Sequence, residues 1–362
     1  MEQTIKNTPF ASWGIETERP LLIAGPCSAE TEEQVMNTAI QLKDVGASVF
    51  RAGIWKPRTR PNTFEGVGVK GLRWLKKVKE RTGMLTTTEV ANAQHVYEAI
   101  KYGVDILWIG ARTTVNPFTI QEIAEAMSGI DIPVMVKNPV NPDVELWLGA
   151  IERLQAVGIS RIGVIHRGFS SYSENRYRNS PNWQIPLELK RRRPDLPFIC
   201  DPSHIGGQRS LLQEISQKAM DLNFDGLMIE THIEPDSAWS DAKQQITPNE
   251  LKQLLDKLIL RRTDPGNNGF VNQLEELRSE IDRLDQELMN ILEDRMKVSA
   301  GIGKVKKENG ITIFQPARWD KIISKYLSVA QEKGFSEEFI QKIFMAIHQE
   351  SINTQTRVMN EE

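Results

Sequence analysis

The chain has 362 residues, room for one large domain and a smaller one. Its 40% hydrophobic and 26% charged residues are ordinary for a globular protein, and a formal net charge of −3 leaves no basic field to gather nucleic acid or an anionic membrane surface. No apolar run approaches the ~20 residues that span a bilayer, and the N-terminus lacks a signal-peptide core. The two cysteines, Cys27 and Cys200, are too few for a disulfide framework, so a reducing cytoplasm is expected.

Eight short apolar runs follow in chain order: 21–24 (LLIA), 48–51 (SVFR), 85–88 (LTTT), 106–109 (ILWI), 134–136 (VMV), 161–165 (RIGVI), 198–200 (FIC) and 226–229 (GLMI). Several are β-branched and apolar on both faces, as buried parallel strands are. Amphipathic segments such as 31–45 and 121–127 separate them. Eight such βα units predict a (β/α)8 barrel over residues 1–260; a doubly wound sheet, the alternative, has no need of eight. Residues 261–270 (RRTDPGNNGF) concentrate Asp, Pro, Gly and Asn and read as a linker. Beyond it, Leu274, Leu277, Ile281, Leu284, Leu288 and Ile291 recur at intervals of three and four, a stripe close to a heptad seam. Helices are predicted near 271–307, 317–333 and 337–359, making 271–362 an all-α domain. Periodicity alone leaves open a coiled-coil dimerisation arm.

Function in a barrel of this kind sits at the C-terminal strand ends. Those ends carry Cys27, Arg51 followed by Lys56-Pro57-Arg58-Thr59, Glu89, Arg112, Lys137, His166-Arg167, Asp201 with His204, and Glu230 with His232; Asp241 lies in the last loop. Alone, a cysteine is most simply a small buried hydrophobe and an arginine a solvated surface residue. Gathered at one end of one barrel, the cations require anions, with phosphate and carboxylate the natural pair. Cys27, His204, Glu230 and Asp241 offer a thiolate, an imidazole and two carboxylates, a mixed set compatible with Mn²⁺, Fe²⁺, Co²⁺ or Zn²⁺. Barrel closure is what would bring strands 1, 7 and 8 together.

The motifs GPCS, FRAGIWKPRT, GART, VKNP, HRG, DPSH, ETH and SDAKQQ together resemble 3-deoxy-D-arabino-heptulosonate-7-phosphate (DAHP) synthase of the type I beta class over roughly residues 20–260. The resemblance implies condensation of phosphoenolpyruvate with erythrose 4-phosphate, the entry step of the shikimate pathway to the aromatic amino acids. It implies that Cys27, His204, Glu230 and Asp241 hold a divalent metal, and that Arg51, Lys56, Arg112, Lys137 and Arg167 bind phosphoenolpyruvate. It implies further that Arg58 and Thr59 hold the phosphate of erythrose 4-phosphate, and that Lys56, Cys27 and His204 are catalytic. A sister family, 3-deoxy-octulosonate 8-phosphate synthase, shares the barrel and carries Lys-Ala-Asn-Arg where this chain has KPRT, so Lys56–Thr59 favour the four-carbon aldose. With the first strand near residue 21, no regulatory extension is expected before the barrel.

The tail resembles the all-helical chorismate mutase family (AroQ class) over about residues 272–359, through LRSEIDRLDQEL, ILEDRMKVSAGIGKVK and QESINTQ. The matching positions are Arg278, Arg295, Lys306, Gln315, Arg318, Ser351 and Gln355, implied to bind chorismate, with Arg295, Lys306 and Gln355 implied to be catalytic in its rearrangement to prephenate. Arg295 and Lys306 lie ~16 Å apart and ~20° out of phase on one helix, able to bracket a small dianion. Arg278 lies ~25 Å from Arg295 and ~100° off that face, which predicts that it serves a partner subunit's site and that the chain is at least a dimer. Gly301 and Gly303 within a helix suggest close backbone approach by a neighbour or ligand. One position departs from the family pattern: Trp319 stands where a polar residue usually contacts the substrate hydroxyl. Gln315 stands where Asp is frequent. The tail is thus expected to be a mutase, to sense chorismate or prephenate and control the barrel by feedback, or to be a dimerisation arm; the first two are compatible.

Overall fold

The computed structural model describes residues 10–15, 20–56, 64–171, 176–261 and 268–360. The chain divides into two compact units, residues 1–263 and 264–362. In the first, strands and helices alternate: β1 (Leu21–Gly25), α1 (Glu32–Val45), β2 (Val49–Arg51), α2 (Val69–Thr82), β3 (Leu85–Val90), α3 (Ala93–Lys101), β4 (Ile106–Ile109), α4 (Ala111–Thr114) and α5 (Pro117–Ala126). They continue as β5 (Val134–Lys137), α6 (Val144–Ala156), β6 (Ile162–His166), α7 (Gln184–Arg192), β7 (Phe198–Cys200), α8 (Pro202–Gly206), α9 (Leu212–Asp221), β8 (Gly226–Glu230) and α10 (Pro248–Asp256). All eight strands are parallel and close into a barrel, β1 pairing with both β2 and β8. Helix starts are fixed by local chemistry: Thr31, Asn92, Asn116, Asp143 and Thr247 each accept a backbone N–H of the first turn.

Strand alternation decides what faces the lumen. Leu21, Ile23, Val49, Ile106, Trp108, Met135, Ile165, Ile199 and Met228 form one buried cluster inside the barrel. Their strand neighbours, among them Leu22, Phe50, Leu107, Val136, Val164, Cys200 and Leu227, form the layer between sheet and helices. Residues 10–15, for which the sequence suggested no role, supply Phe10, Trp13 and Ile15 to the lumen cluster. The Trp13 ring is accommodated by Gly163, where a Cβ would come within 2.9 Å of it.

The second unit consists of α11 (Asn268–Glu308), α12 (Pro316–Glu332) and α13 (Glu337–Asn360), with α13 packed along both others. Helix α11 starts at Asn268, so its first three residues fall in the segment 261–270 expected as linker. Gly303 permits the approach of α13, since a Cβ there would lie 3.1 Å from Gln355 Cα, whereas Gly301 faces open space. The expectation of close approach therefore holds within this unit at Gly303 and not at Gly301. Leu277, Ile281, Leu284, Leu288 and Ile291 are all about half exposed or more, so the apolar stripe of α11 is not buried by its own chain.

Candidate active sites

Continuing the lumen parity by two residues from each inward hydrophobic reaches Arg51, Lys137, Arg167, Asp201 and Glu230, and the same count on β1 passes Gly25 to Cys27. Polar chemistry is thus stacked on top of the apolar lumen. Glu230 is fully buried; its Oε1 accepts from Arg51 Nη1 at 3.1 Å and its Oε2 from Gln244 Nε2 at 2.6 Å. Arg51 Nη2 also donates to Cys27 O at 3.1 Å. Cys27 Sγ donates to Asp241 Oδ2 at 3.2 Å, and Lys56 Nζ donates to the sulfur at 2.9 Å and to Cys27 O at 3.0 Å. His204 Nε2 lies 3.7 Å from Glu230 Oε1, and its Nδ1 lies 2.8 Å from Asp201 Oδ2. Lys137 Nζ donates to the same Asp201 oxygen at 2.9 Å.

This donor set fits a divalent cation. Ligand atoms of Cys27, Glu230 and Asp241 all lie within 4.8 Å of one another, with His204 beside Glu230. Burial, then the Glu230 charge, pushes the Cys27 thiol up to about 12. Burial opposes ionisation of Glu230 and Asp241 too, but His204 and Arg51 around the first, and Arg178, His204 and Lys56 around the second, keep both below their ordinary range. Asp241 holds its position at φ 49°, a left-handed conformation that costs most residues but that Asp tolerates.

The cation cluster adjoins this set. Arg167 is half-buried and donates to Asn179 Oδ1 at 2.7 Å; desolvation lowers its pKa to about 10, with Asp201 opposing and the nearby positive charges of Arg178 and Arg112 adding to the depression. Arg112 is exposed on α4 just beyond β4. Arg58 and Thr59 lie outside the described residues.

Two strand-end residues do not join the site. His166 follows the parity of Val164 and turns outward, buried among Phe169, Trp183 and Phe224. Burial pushes its pKa down to about 3, aided by the Arg167 charge and opposed by the Pro181 backbone and Asp201. His232 pairs with Glu30 at 3.4 Å. Sequence reasoning missed Arg178, which donates to Asp241 Oδ1 at 3.0 Å and to Gln244 Oε1 at 2.6 Å, and it gave Asp201 and Gln244 no role. Arg178 stands in an aperiodic loop, so neither strand nor helix spacing marks it.

In the helical unit a cavity of about 340 Å³ is lined by Arg295, Lys306, Gln315, Arg318, Ser351 and Gln355. Arg295 Nη1 donates to Ser351 Oγ at 2.5 Å, Gln355 Nε2 to Ser299 Oγ at 3.3 Å, and Lys306 Nζ to the Ile313 carbonyl. Arg278 does not line it; it is exposed and pairs with Glu275 on its own helix. Trp319 and His348, stacked at 4.2 Å with planes 21° apart, form part of the wall. His348 escaped the sequence reading because it sits among apolar positions of α13.

A profile of the DAHP synthetase I family matches residues 12–263, and one of chorismate mutase type II matches residues 277–356. Phospho-2-dehydro-3-deoxyheptonate aldolase of Thermotoga maritima is 34% identical over 237 residues, covering 66% of this chain and 68% of that protein. A 2-dehydro-3-deoxyphosphooctonate aldolase of Geobacter metallireducens is 32% identical over 260 residues, 66% of this chain and 92% of its own. The crystal structure of the Thermotoga maritima DAHP synthase superposes with a TM-score of 0.60 at 32% identity, over 66% of this chain and 67% of that one. With a family-wide match across the barrel and a second across the helices, the chain belongs to the DAHP synthetase I family and carries a chorismate mutase type II domain behind it, a transferase and an isomerase in one polypeptide.

Proposed function

We propose that the barrel condenses phosphoenolpyruvate with erythrose 4-phosphate in a metal-dependent reaction, and that the tail converts chorismate to prephenate and reports its ligand to the barrel. The observation that carries the first part is the convergence of Cys27, Glu230 and Asp241 directly beside a buried cluster of cations. Cys27, His204, Glu230 and Asp241 would hold the ion, which when bound supplies Lewis acidity toward the aldehyde oxygen. Arg51, Arg112, Lys137 and Arg167 neutralise the carboxylate and phosphate of phosphoenolpyruvate and keep them neutralised as charge moves. Carbon 3 of the enol ester then attacks the aldehyde carbon. Lys56, donating beside the thiol, is placed to protonate the oxygen that becomes a hydroxyl. Water adds at carbon 2 and phosphate departs. Since octulosonate aldolases are similar over the same region, the decisive assay offers erythrose 4-phosphate and arabinose 5-phosphate in parallel; turnover with arabinose 5-phosphate alone would overturn the assignment.

For the tail, the pericyclic rearrangement needs no covalent catalyst, only a site that holds the dianion folded and stabilises charge on the ether oxygen. Arg295 and Arg318 bind the carboxylates, and Lys306 and Gln355 face the ether oxygen. The uncovered stripe of α11 and the exposed Arg278 support a dimer in which each chain lends Arg278 to the other's cavity. The aromatic wall of Trp319 and His348, where a polar hydroxyl partner is usual, favours a sensing role alongside catalysis. Loss of chorismate consumption in Arg295→Ala is expected. The same variant in the full chain should also lose inhibition of the condensation by prephenate; undiminished inhibition would refute the feedback. No helix is long and apolar enough to cross a membrane among the described residues, and the two buried, unpaired cysteines suit a cytoplasmic enzyme.

A further inference from the structure

Trp108 is fully buried in the lumen and stands directly beneath the cations. Its ring lies 4.9 Å from Arg51 Cζ and 5.8 Å from Lys137 Nζ. The indole N–H donates to Glu89 Oε2 at 3.1 Å, across a β3–β4 register that pairs Glu89 with Trp108. Glu89 in turn is seated against Gly110, where a Cβ would fall 2.1 Å from Glu89 Oε1. The carboxylate that orients the ring is therefore itself held in place.

Among the described residues Arg51 and Lys137 each have one carboxylate partner, Glu230 and Asp201. Both cations are nearly or fully buried, and Arg51 Nε has no hydrogen-bond partner among the described residues. Burying a cation is costly unless something replaces water. A second carboxylate would do so, but it would also cancel the charge that an anionic substrate needs. The face of an indole offsets the desolvation through its quadrupole while leaving the N–H donors aimed elsewhere.

We propose that Trp108 is a positioning residue for phosphoenolpyruvate: it is the floor that fixes Arg51 and Lys137 in a desolvated yet still anion-binding state. This rests on the reading that these two cations bind phosphoenolpyruvate. The test uses the full chain with Mn²⁺ present and two variants, Trp108→Leu and Trp108→Phe. Measured are phosphoenolpyruvate Kd by calorimetry, KM for each substrate, Mn²⁺ affinity and thermal unfolding. In Trp108→Leu the phosphoenolpyruvate Kd and KM should rise about tenfold, the loss of two cation–ring contacts. KM for erythrose 4-phosphate and Mn²⁺ affinity should stay within about twofold, and Trp108→Phe, which keeps a weaker ring face, should lie between at about threefold. An unchanged phosphoenolpyruvate Kd in a folded Trp108→Leu protein, or equal losses for both substrates, would overturn the inference while leaving the site assignment standing. Should Trp108→Leu not fold, Trp108→Phe decides by the same criterion. An unaltered chain that binds no phosphoenolpyruvate would overturn the assignment and this inference together.

Discussion

Replacing Asp201 by asparagine removes one buried negative charge and little else. The asparagine side-chain oxygen can still cap α8 by accepting the His204 backbone N–H, as Asp201 Oδ1 does at 3.0 Å. What is lost is the counter-charge to Lys137 Nζ at 2.9 Å and to His204 Nδ1 at 2.8 Å. Burial alone would raise the Asp201 pKa, yet His204 and Lys137 hold it well below the carboxylate range, so the native residue is firmly ionised. Stripping one partner from a buried ion pair costs about 3–5 kcal/mol, which for a unit of this size lowers Tm by about 6–20 °C. His204 also loses the group that orients its ring, and removal of such a support weakens metal affinity about 10–100-fold. Thermal unfolding of the metal-free protein and a competition titration with a chromophoric chelator read the two effects separately. Phosphoenolpyruvate, which supplies negative charge to Lys137, should recover more Tm in the variant than in the native chain. A variant with native Tm and native metal affinity would show that the Lys137–Asp201–His204 arrangement has no part in building the site.

Two further outcomes follow from the structure. Between pH ~6.5 and about 3 the unfolded chain binds a proton at residue 166 that the folded chain refuses, so stability falls as pH drops through that window. At pH 4.5 this amounts to about 2–3 kcal/mol relative to neutral pH. His166→Phe, filling the same aromatic cage, should flatten the dependence, and parallel pH profiles of the two proteins would refute this. In the helical unit, Gly301→Ala has open space and should gain up to about 1 kcal/mol in helix stability with mutase kcat/KM unchanged. Gly303→Ala pushes on the Gln355 backbone and should lower mutase kcat/KM by about tenfold. Equal effects at the two glycines would mean that α13 does not rely on Gly303.

The barrel was legible because parallel strands buried on both faces are short β-branched runs, and because strand ends in such a fold point one way. Alternation then sorts the residues: Arg51, Lys137, Arg167 and Glu230 share the parity of lumen hydrophobics, while His166 and Cys200 do not. Applying that parity to the sequence would have excluded His166. Trp108 was hidden by its apolarity, since in the run ILWI nothing separates a packing residue from one that carries cations. Arg178 and Gln244 were hidden for the opposite reason, lying in a loop and a single 3-10 turn whose geometry no periodicity encodes. In the tail, the cations were named through the resemblance to a mutase family, and helical spacing added only that Arg295 and Lys306 share a face that Arg278 does not; the Trp319–His348 stack joins two helices and appears only once they are packed.

The central claim is that one chain runs a metal-dependent condensation and a metal-independent rearrangement at separate sites. Steady-state rates of both reactions on the full chain, with and without a chelator, test it most directly. The condensation should vanish with chelator and return on adding Mn²⁺, Fe²⁺, Co²⁺ or Zn²⁺, while the mutase rate stays constant throughout. A condensation that survives chelation, or a mutase rate that falls with it, would contradict the account.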